Sequence, residues 1–223
     1  MNAKSAAILV SDINRPCPSY KLLPFLLNEL GEIDPKDIAV IFGLGIHRKH
    51  LTQEQIKLIG EDIFNKVKVL DFDESSCVSL GYTSRGTPIE IFRLFLESNL
   101  RICTGNIEYH YFAGYSGGSK AVMPGTSSRK SIEHNHSMML HPQASAGVID
   151  GNPVREDIDE VGKIAGIDFI LNVIINEKKE ILSAVAGDYL AAFEEGVKIY
   201  DEIYRVDVEE PADIVITSPW WLP

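Results

Sequence analysis

Short apolar runs alternate with longer stretches of helical period along this chain. Ala6 to Val10 is an uninterrupted apolar run that stops at Ser11-Asp12. Ile38 to Phe42 is a second, ending in Gly43-Leu44-Gly45, and Val67 to Phe72 and Leu100 to Thr104 repeat the pattern. Runs of this length bounded by turn residues predict buried strands. Ser19 reads as the cap of a helix over Tyr20 to Leu30, with Pro24 near its start and Gly31 closing it. Thr52 with Gln55 three residues on reads as a capping box for a helix to about Asn65. Beyond Gly151 a charged amphipathic helix is predicted from Pro153 to Ala165, then strands over Phe169 to Ile175 and Ile181 to Ala186, then a helix from Tyr189 to Tyr204. Ala212 to Pro219 reads as one more buried strand, leading into Trp220 and Trp221.

This alternation predicts an α/β fold with a mainly parallel, Rossmann-like sheet flanked by helices. Residues 1–210 are expected to form one N-terminal α/β domain. Residues 211–223 are expected to begin a C-terminal second domain that is largely missing. In open α/β sheets the ligand crevice lies at the carboxyl ends of the strands. The segments Asp12 to Arg15, Gly45 to Arg48 and Asn106 to Lys120 all follow predicted strands, so they are expected to converge there.

Composition narrows the partners. The formal charge of −11 argues against nucleic acid, which rewards clustered Lys and Arg, but leaves room for a small anion held by a local positive site. No apolar run is long enough to cross a bilayer, and Met1 to Ser5 carries no signal-peptide pattern. The three cysteines, Cys17, Cys77 and Cys103, give neither a disulfide framework nor a metal knuckle. A cytoplasmic setting is expected.

Three constellations carry chemistry. The first is the loop from Glu108 to Gly125, rich in glycine and containing Ser116, Ser119 and Lys120. Its glycines allow close backbone approach to a ligand, its serines suit phosphate or carboxylate, and its lysine can form covalent adducts when its pKa is lowered. The order Gly-Ser-Lys is not that of a Walker loop. The second constellation is histidine: all six lie between His47 and His141. His47 follows a strand directly and His110 opens the glycine loop, so both are candidate proton-transfer groups. His50, His134 and His141 read as satisfied polar residues. His134 and His136, two apart, cannot share one helix face. The third is the turn Asp12-Ile13-Asn14-Arg15-Pro16, in which Arg15 can grip an anion bidentately and Asp12 can accept from a sugar hydroxyl. Residues alone leave open an enzyme, a simple metal hydrolase or lyase built on His47, His110 and His136, and a non-catalytic module that binds a nucleotide or organic anion.

Together these segments resemble the lactate racemase family, the enzymes dependent on a nickel-pincer nucleotide. The likeness rests on Asp12-Ile13-Asn14-Arg15-Pro16, on Gly45-Ile46-His47-Arg48, on His110 to Lys120 followed by Pro124-Gly125, and on Asn135-His136. It covers most of the chain, as the family's N-terminal catalytic domain. The resemblance implies a racemase or epimerase of a 2-hydroxy acid, lactate or a related hydroxy or sugar acid. It implies Lys120 as covalent anchor of the cofactor, pyridinium-3,5-bisthiocarboxylic acid mononucleotide with nickel. It further implies His136 as a nickel ligand, His47 and His110 as the acid/base pair, and Asp12, Ile13, Asn14 and Arg15 as the cofactor-holding turn. Proteins that synthesise the cofactor and a C-terminal domain are the implied partners. The chain has Ile13-Asn14 where the family commonly has His-Thr, and Ile46 where it often has Thr.

Overall fold

The computed structural model describes residues 3–208, 210 and 212–216. The first half runs β1 (Ala6–Ser11), α1 (Ser19–Glu29), β2 (Ile38–Gly43), α2 (Thr52–Ile59), α3 (Glu61–Lys66), β3 (Lys68–Asp71), β4 (Cys77–Tyr82), β5 (Pro88–Phe92), α4 (Arg93–Glu97) and β6 (Leu100–Asn106). The second half runs β7 (Tyr109–His110), β8 (Gly114–Tyr115), α5 (Arg129–Ser137), α6 (Pro153–Ala165), β9 (Phe169–Ile175), β10 (Ile181–Gly187) and α7 (Ala191–Tyr204).

Six strands form one sheet in the order β3-β2-β1-β6-β9-β10. The first five are parallel, and β10 returns antiparallel to β9. The apolar runs explain why: Ala6 to Val10 and Ile38 to Phe42 are buried without interruption, as central parallel strands require. The chain builds outward from β1 to β3, then returns to lay β6 on the other side of β1. That reversal is the switch point at which a doubly wound sheet opens a crevice. The Rossmann-like expectation is met, and the crevice position follows from strand order.

Several elements differ from expectation. Ser19 is the first residue of α1, not its cap; Pro18 takes the cap position, and the Ser19 hydroxyl is buried without a partner. The box at α2 is shifted by one residue. Leu51, in extended conformation, is the cap, and its N–H donates to the Glu54 carboxylate at 2.8 Å, a carboxylate also gripped by Arg48. The expected single helix to Asn65 breaks at Gly60, whose φ of 89° no helix interior accommodates. The hairpin β4–β5 was not expected; its signal is the short apolar alternation around Glu90. Residues 212–216, expected to start a buried strand, carry none: Ile214, Val215 and Ile216 are 79%, 75% and 91% exposed. The rest of that predicted strand, from Thr217, lies outside the described residues.

The loops at the crevice are joined by close backbone approach. Gly45 N–H donates to the Gly125 carbonyl at 2.9 Å, and a Cβ on Gly125 would lie 2.2 Å from the Ala121 carbonyl oxygen. At Gly105 a Cβ would meet only ordinary contacts, the nearest at 3.6 Å. Gly125→Ala is therefore expected to cost about 3 kcal/mol, an overpacking penalty, and Gly105→Ala less than about 1 kcal/mol. Urea denaturation of the two variants checks this; equal midpoints would refute the packing argument.

Candidate active site

A cleft of about 500 Å³ opens at the carboxyl ends of β1, β2 and β6. Its walls include Asp12, Arg15, Gly45, Ile46, His47, Glu108, His110, Lys120 and His136. Six of the eight candidate site residues thus share one cavity, although their sequence positions span Asp12 to His136. Ile13 and Asn14 are not on its wall. They act beside it, Ile13 through its backbone and Asn14 through its amide.

Asp12 is buried at the end of β1, and its Oδ2 faces His47 Nδ1 at 2.5 Å. Asn14 Nδ2 donates to the same oxygen at 3.0 Å. A carboxylate accepts only, so His47 carries its neutral-state proton on Nδ1 and keeps a lone pair on Nε2. The expected sugar-binding Asp12 is thus, in this arrangement, the orienting partner of His47. His50 supports the turn from behind. Its buried ring accepts the Ile13 N–H at Nε2 (3.1 Å), while Nδ1 faces Asp71 at 2.7 Å. Because Ile13 N–H is a donor, the tautomer is settled: Nδ1–H donates to Asp71. His50 is the satisfied polar residue expected, and it pins the Asp12 turn to β3.

The opposite wall comes from the glycine loop. His110 Nδ1 accepts the Ala113 N–H at 3.2 Å, so the neutral ring carries its proton on Nε2. Phe112 packs edge-on against this ring and Tyr111 stacks on it. Glu108, which stands two residues earlier, makes no hydrogen bond to it among the described residues; the orienting group is the backbone. Burial and then Lys120 and Arg15 lower the His110 pKa to about 3. Burial and then Arg155 and Arg15 hold the Lys120 amine well below its ordinary value. Arg155 lies fully buried under the loop, paired with Asp159 through two bonds of 2.8 Å and stacked on Phe193. No sequence motif announced it.

His136 sits on α5. Its Nδ1 lies 3.0 Å from Asn135 Oδ1, and burial followed by Lys120 lowers its pKa to about 4. Its neighbour His134 turns the other way, with Nδ1 at 2.9 Å from the Thr87 hydroxyl. One histidine of the pair faces the cleft. The two serines of the glycine loop do not serve as expected. Ser116 directs its hydroxyl to the Asn106 carbonyl at 2.8 Å, closing the loop on itself. Ser119 is buried against α6, where a Cβ on Gly162 would lie 2.4 Å from its oxygen. Of the cysteines, burial lifts the Cys17 thiol to about 12 and raises Cys103 further, so both are core groups.

The depressed values set a pH dependence. Unfolded histidine titrates near about 6.5, and the folded His110 and His136 lie below it, so the unfolded chain binds these protons first. Stability is present above about pH 6.5 and falls as pH drops toward 4. Ring-carbon NMR shifts of both histidines should stay on the neutral plateau at pH 5. Lys120 should be methylated by formaldehyde and cyanoborohydride at pH 7.5 ahead of the solvated lysines, as peptide mass mapping reads. Labelling no faster than Lys4 would contradict the depressed amine pKa.

Comparison with known proteins follows the same outline. A family model described as the lactate racemase N-terminal domain matches residues 1–147. A lactate racemase of Thermoanaerobacterium thermosaccharolyticum is 35% identical over 221 residues, 96% of this chain and 52% of that protein. One of Lactiplantibacillus plantarum is 35% identical over 217 residues, 95% and 51% of the two. The chain therefore spans about half the length of these relatives. The lactate racemase apoprotein structure from T. thermosaccharolyticum matches with a TM-score of 0.87 and 33% identity, over 91% of this chain and 50% of that one. A Thermotoga maritima protein shares the fold at a TM-score of 0.78 and 20% identity, over 95% and 57%. Motif order, strand order and relatives agree, and the chain belongs to the lactate racemase N-terminal domain family.

Proposed function

We propose that this chain is the cofactor-bearing half of a 2-hydroxy-acid racemase or epimerase that uses a nickel-pincer nucleotide. The observation that carries the proposal is the pairing, on one cleft, of an amine and an imidazole nitrogen that have no hydrogen-bond or ion-pair partner among the described residues. Lys120 has no carboxylate within ion-pairing reach among the described residues, and burial, then Arg155 and Arg15, bias its amine toward the neutral, nucleophilic form. His136 has Nδ1 engaged and, among the described residues, no partner at Nε2. These fit a group anchored covalently through Lys120, with nickel bound by His136. Among the described residues no three His, Cys, Asp or Glu side chains gather tightly enough to hold a metal alone. That favours a metal whose other ligands come from the cofactor, and counts against a simple metal at His47, His110 and His136.

When bound, the cofactor supplies an acceptor for the hydride at C2 of the substrate. The chain's own residues handle the proton and the anion. His47 takes the hydroxyl proton at Nε2, because its Nδ1–H is committed to Asp12, and the Asp12 carboxylate stabilises the imidazolium formed. His110 serves the other side of the planar 2-oxo acid at Nε2 once its ring releases the Ala113 N–H and carries its proton on Nδ1 instead. Its charged form is costly in the cleft because it is part-buried beside Lys120 and Arg15. A substrate carboxylate offsets that positive field and restores its capacity to carry a proton. Arg15 also lines the cleft and suits the substrate carboxylate or the cofactor phosphate. A proton-transfer group on each face allows the centre to be rebuilt with inverted configuration. The further half present in the relatives, cofactor-synthesis proteins and a cytoplasmic setting complete the proposal.

Intact mass of protein made in cells that build the cofactor tests it. An adduct lost together with nickel in Lys120→Ala is the expected result; unmodified protein would refute it. With the relatives' second domain supplied, His47→Ala and His110→Ala should each lower racemisation by at least about 100-fold, the scale of a lost acid/base group, while the adduct persists. Full activity in either variant would remove the two-base assignment.

A further inference from the structure

His136 is held by a network that reaches far behind the cleft. Asn135 and Asp157 are both fully buried. Asn135 Nδ2 donates to Asp157 Oδ2 at 2.7 Å and to the Val154 carbonyl at 3.2 Å. Asp157 also accepts from the Thr83 hydroxyl at 2.5 Å and from the Thr87 hydroxyl at 2.8 Å. Both partners of Asn135 Nδ2 are pure acceptors, so the amide has only one allowed orientation, with Oδ1 toward His136 Nδ1 at 3.0 Å. An amide oxygen can only accept. The His136 proton is therefore on Nδ1.

We infer that Asp157 is a positioning residue. Through Asn135 it holds His136 as the Nδ1–H tautomer, so that the Nε2 lone pair is the one offered to the cleft. The chain of reasoning needs no ligand. A carboxylate fixes the amide, the amide fixes the imidazole, and the imidazole presents one defined nitrogen. The three residues belong to two helices, α5 and α6, and the two threonines tie them to the β4–β5 hairpin. Free rotation of the amide would remove the bias, because an Asn NH2 group facing Nδ1 would favour a proton on Nε2 and block it as a donor of electrons. That Nε2 then binds nickel rests on the proposed function; the tautomer does not.

Long-range ¹H–¹⁵N spectra of ¹⁵N-histidine-labelled protein read the tautomer directly, with His136→Gln assigning the signal. The wild-type ring is expected as Nδ1–H, and an Nε2–H ring would overturn the inference without any further variant. In Asp157→Ala the ring should become a mixture with Nε2–H. In Asp157→Asn the single tautomer should be retained, since the amide oxygen can still accept from Asn135. A folded Asp157→Ala protein with an unchanged tautomer would show that Asp157 is merely structural and would overturn the inference. Nickel retention by adduct-bearing protein is the separate readout: a loss of about 10–100-fold is expected in Asp157→Ala, the usual effect of removing an outer-shell partner. A shifted tautomer with unchanged nickel would uphold the positioning role while removing His136 from the proposed metal site.

Discussion

The hydrogen bond from Gly45 N–H to the Gly125 carbonyl holds the site together. It joins the loop after β2, which carries His47, to the end of the loop after β6, which carries Lys120. Glycines sit where these loops approach: a Cβ on Gly43 would lie 3.2 Å from Gly125 Cα, a tight contact. The His47–Asp12 pair then ties the same loop to β1. Three neighbouring strand ends are thus locked into one geometry before any ligand arrives. Such preorganisation is what proton transfer needs, since reacting groups displaced by an ångström lose much of their effect.

Charge is arranged on the same principle. The chain carries −11 overall, yet the cleft gathers Lys120 and Arg15 on its wall and Arg155 beneath the glycine loop. Two carboxylates, Asp12 and Glu108, line the same cleft, and Asp12 is engaged by His47 and Asn14. The cost of clustering cations in a part-buried space is borne by the groups that can lose a proton. Lys120, His110 and His136 all move toward their neutral forms, and burial is the first cause in each case. Neutral amine and neutral imidazole are also the forms required of a nucleophile and a metal ligand. On the proposed function, anion binding and cofactor attachment would therefore draw on one electrostatic arrangement.

The sheet was legible because its central strands are uninterrupted apolar runs, a signal that survives without tertiary information. Part of the cleft was legible because Asp12, Arg15 and His47 come directly after those strands. What escaped was everything whose meaning depends on facing. Arg155 and Asp157 sit in a helix whose sequence also holds Glu156, Asp159 and Glu160, and such a run reads as a solvated face. Only the packing of α6 under the glycine loop turns the first two inward, both to full burial. Ser116 and Ser119 fail in the opposite sense. Residue type suited them to a ligand, but the loop uses one hydroxyl to close itself and buries the other against Gly162. The caps of α1 and α2 were displaced by one residue for a similar reason: a neighbouring Pro18 or Leu51 met the backbone geometry first.

The partners of His47, His50 and His136 differ in kind. His47 leans on a carboxylate, Asp12, which can stabilise the imidazolium, so the ring can take a proton and hold it. His50 also meets a carboxylate, Asp71, but its second nitrogen is consumed by the Ile13 N–H; with no free lone pair it can only brace the turn. His136 leans on an amide, Asn135, which orients the ring without compensating a positive charge. A ring so held gains nothing from protonation and keeps its lone pair for an electrophile. On the proposed function the same side chain would serve as base, brace and ligand around one cleft, and the difference lies in whether the group behind it is charged and whether the nitrogen in front is engaged.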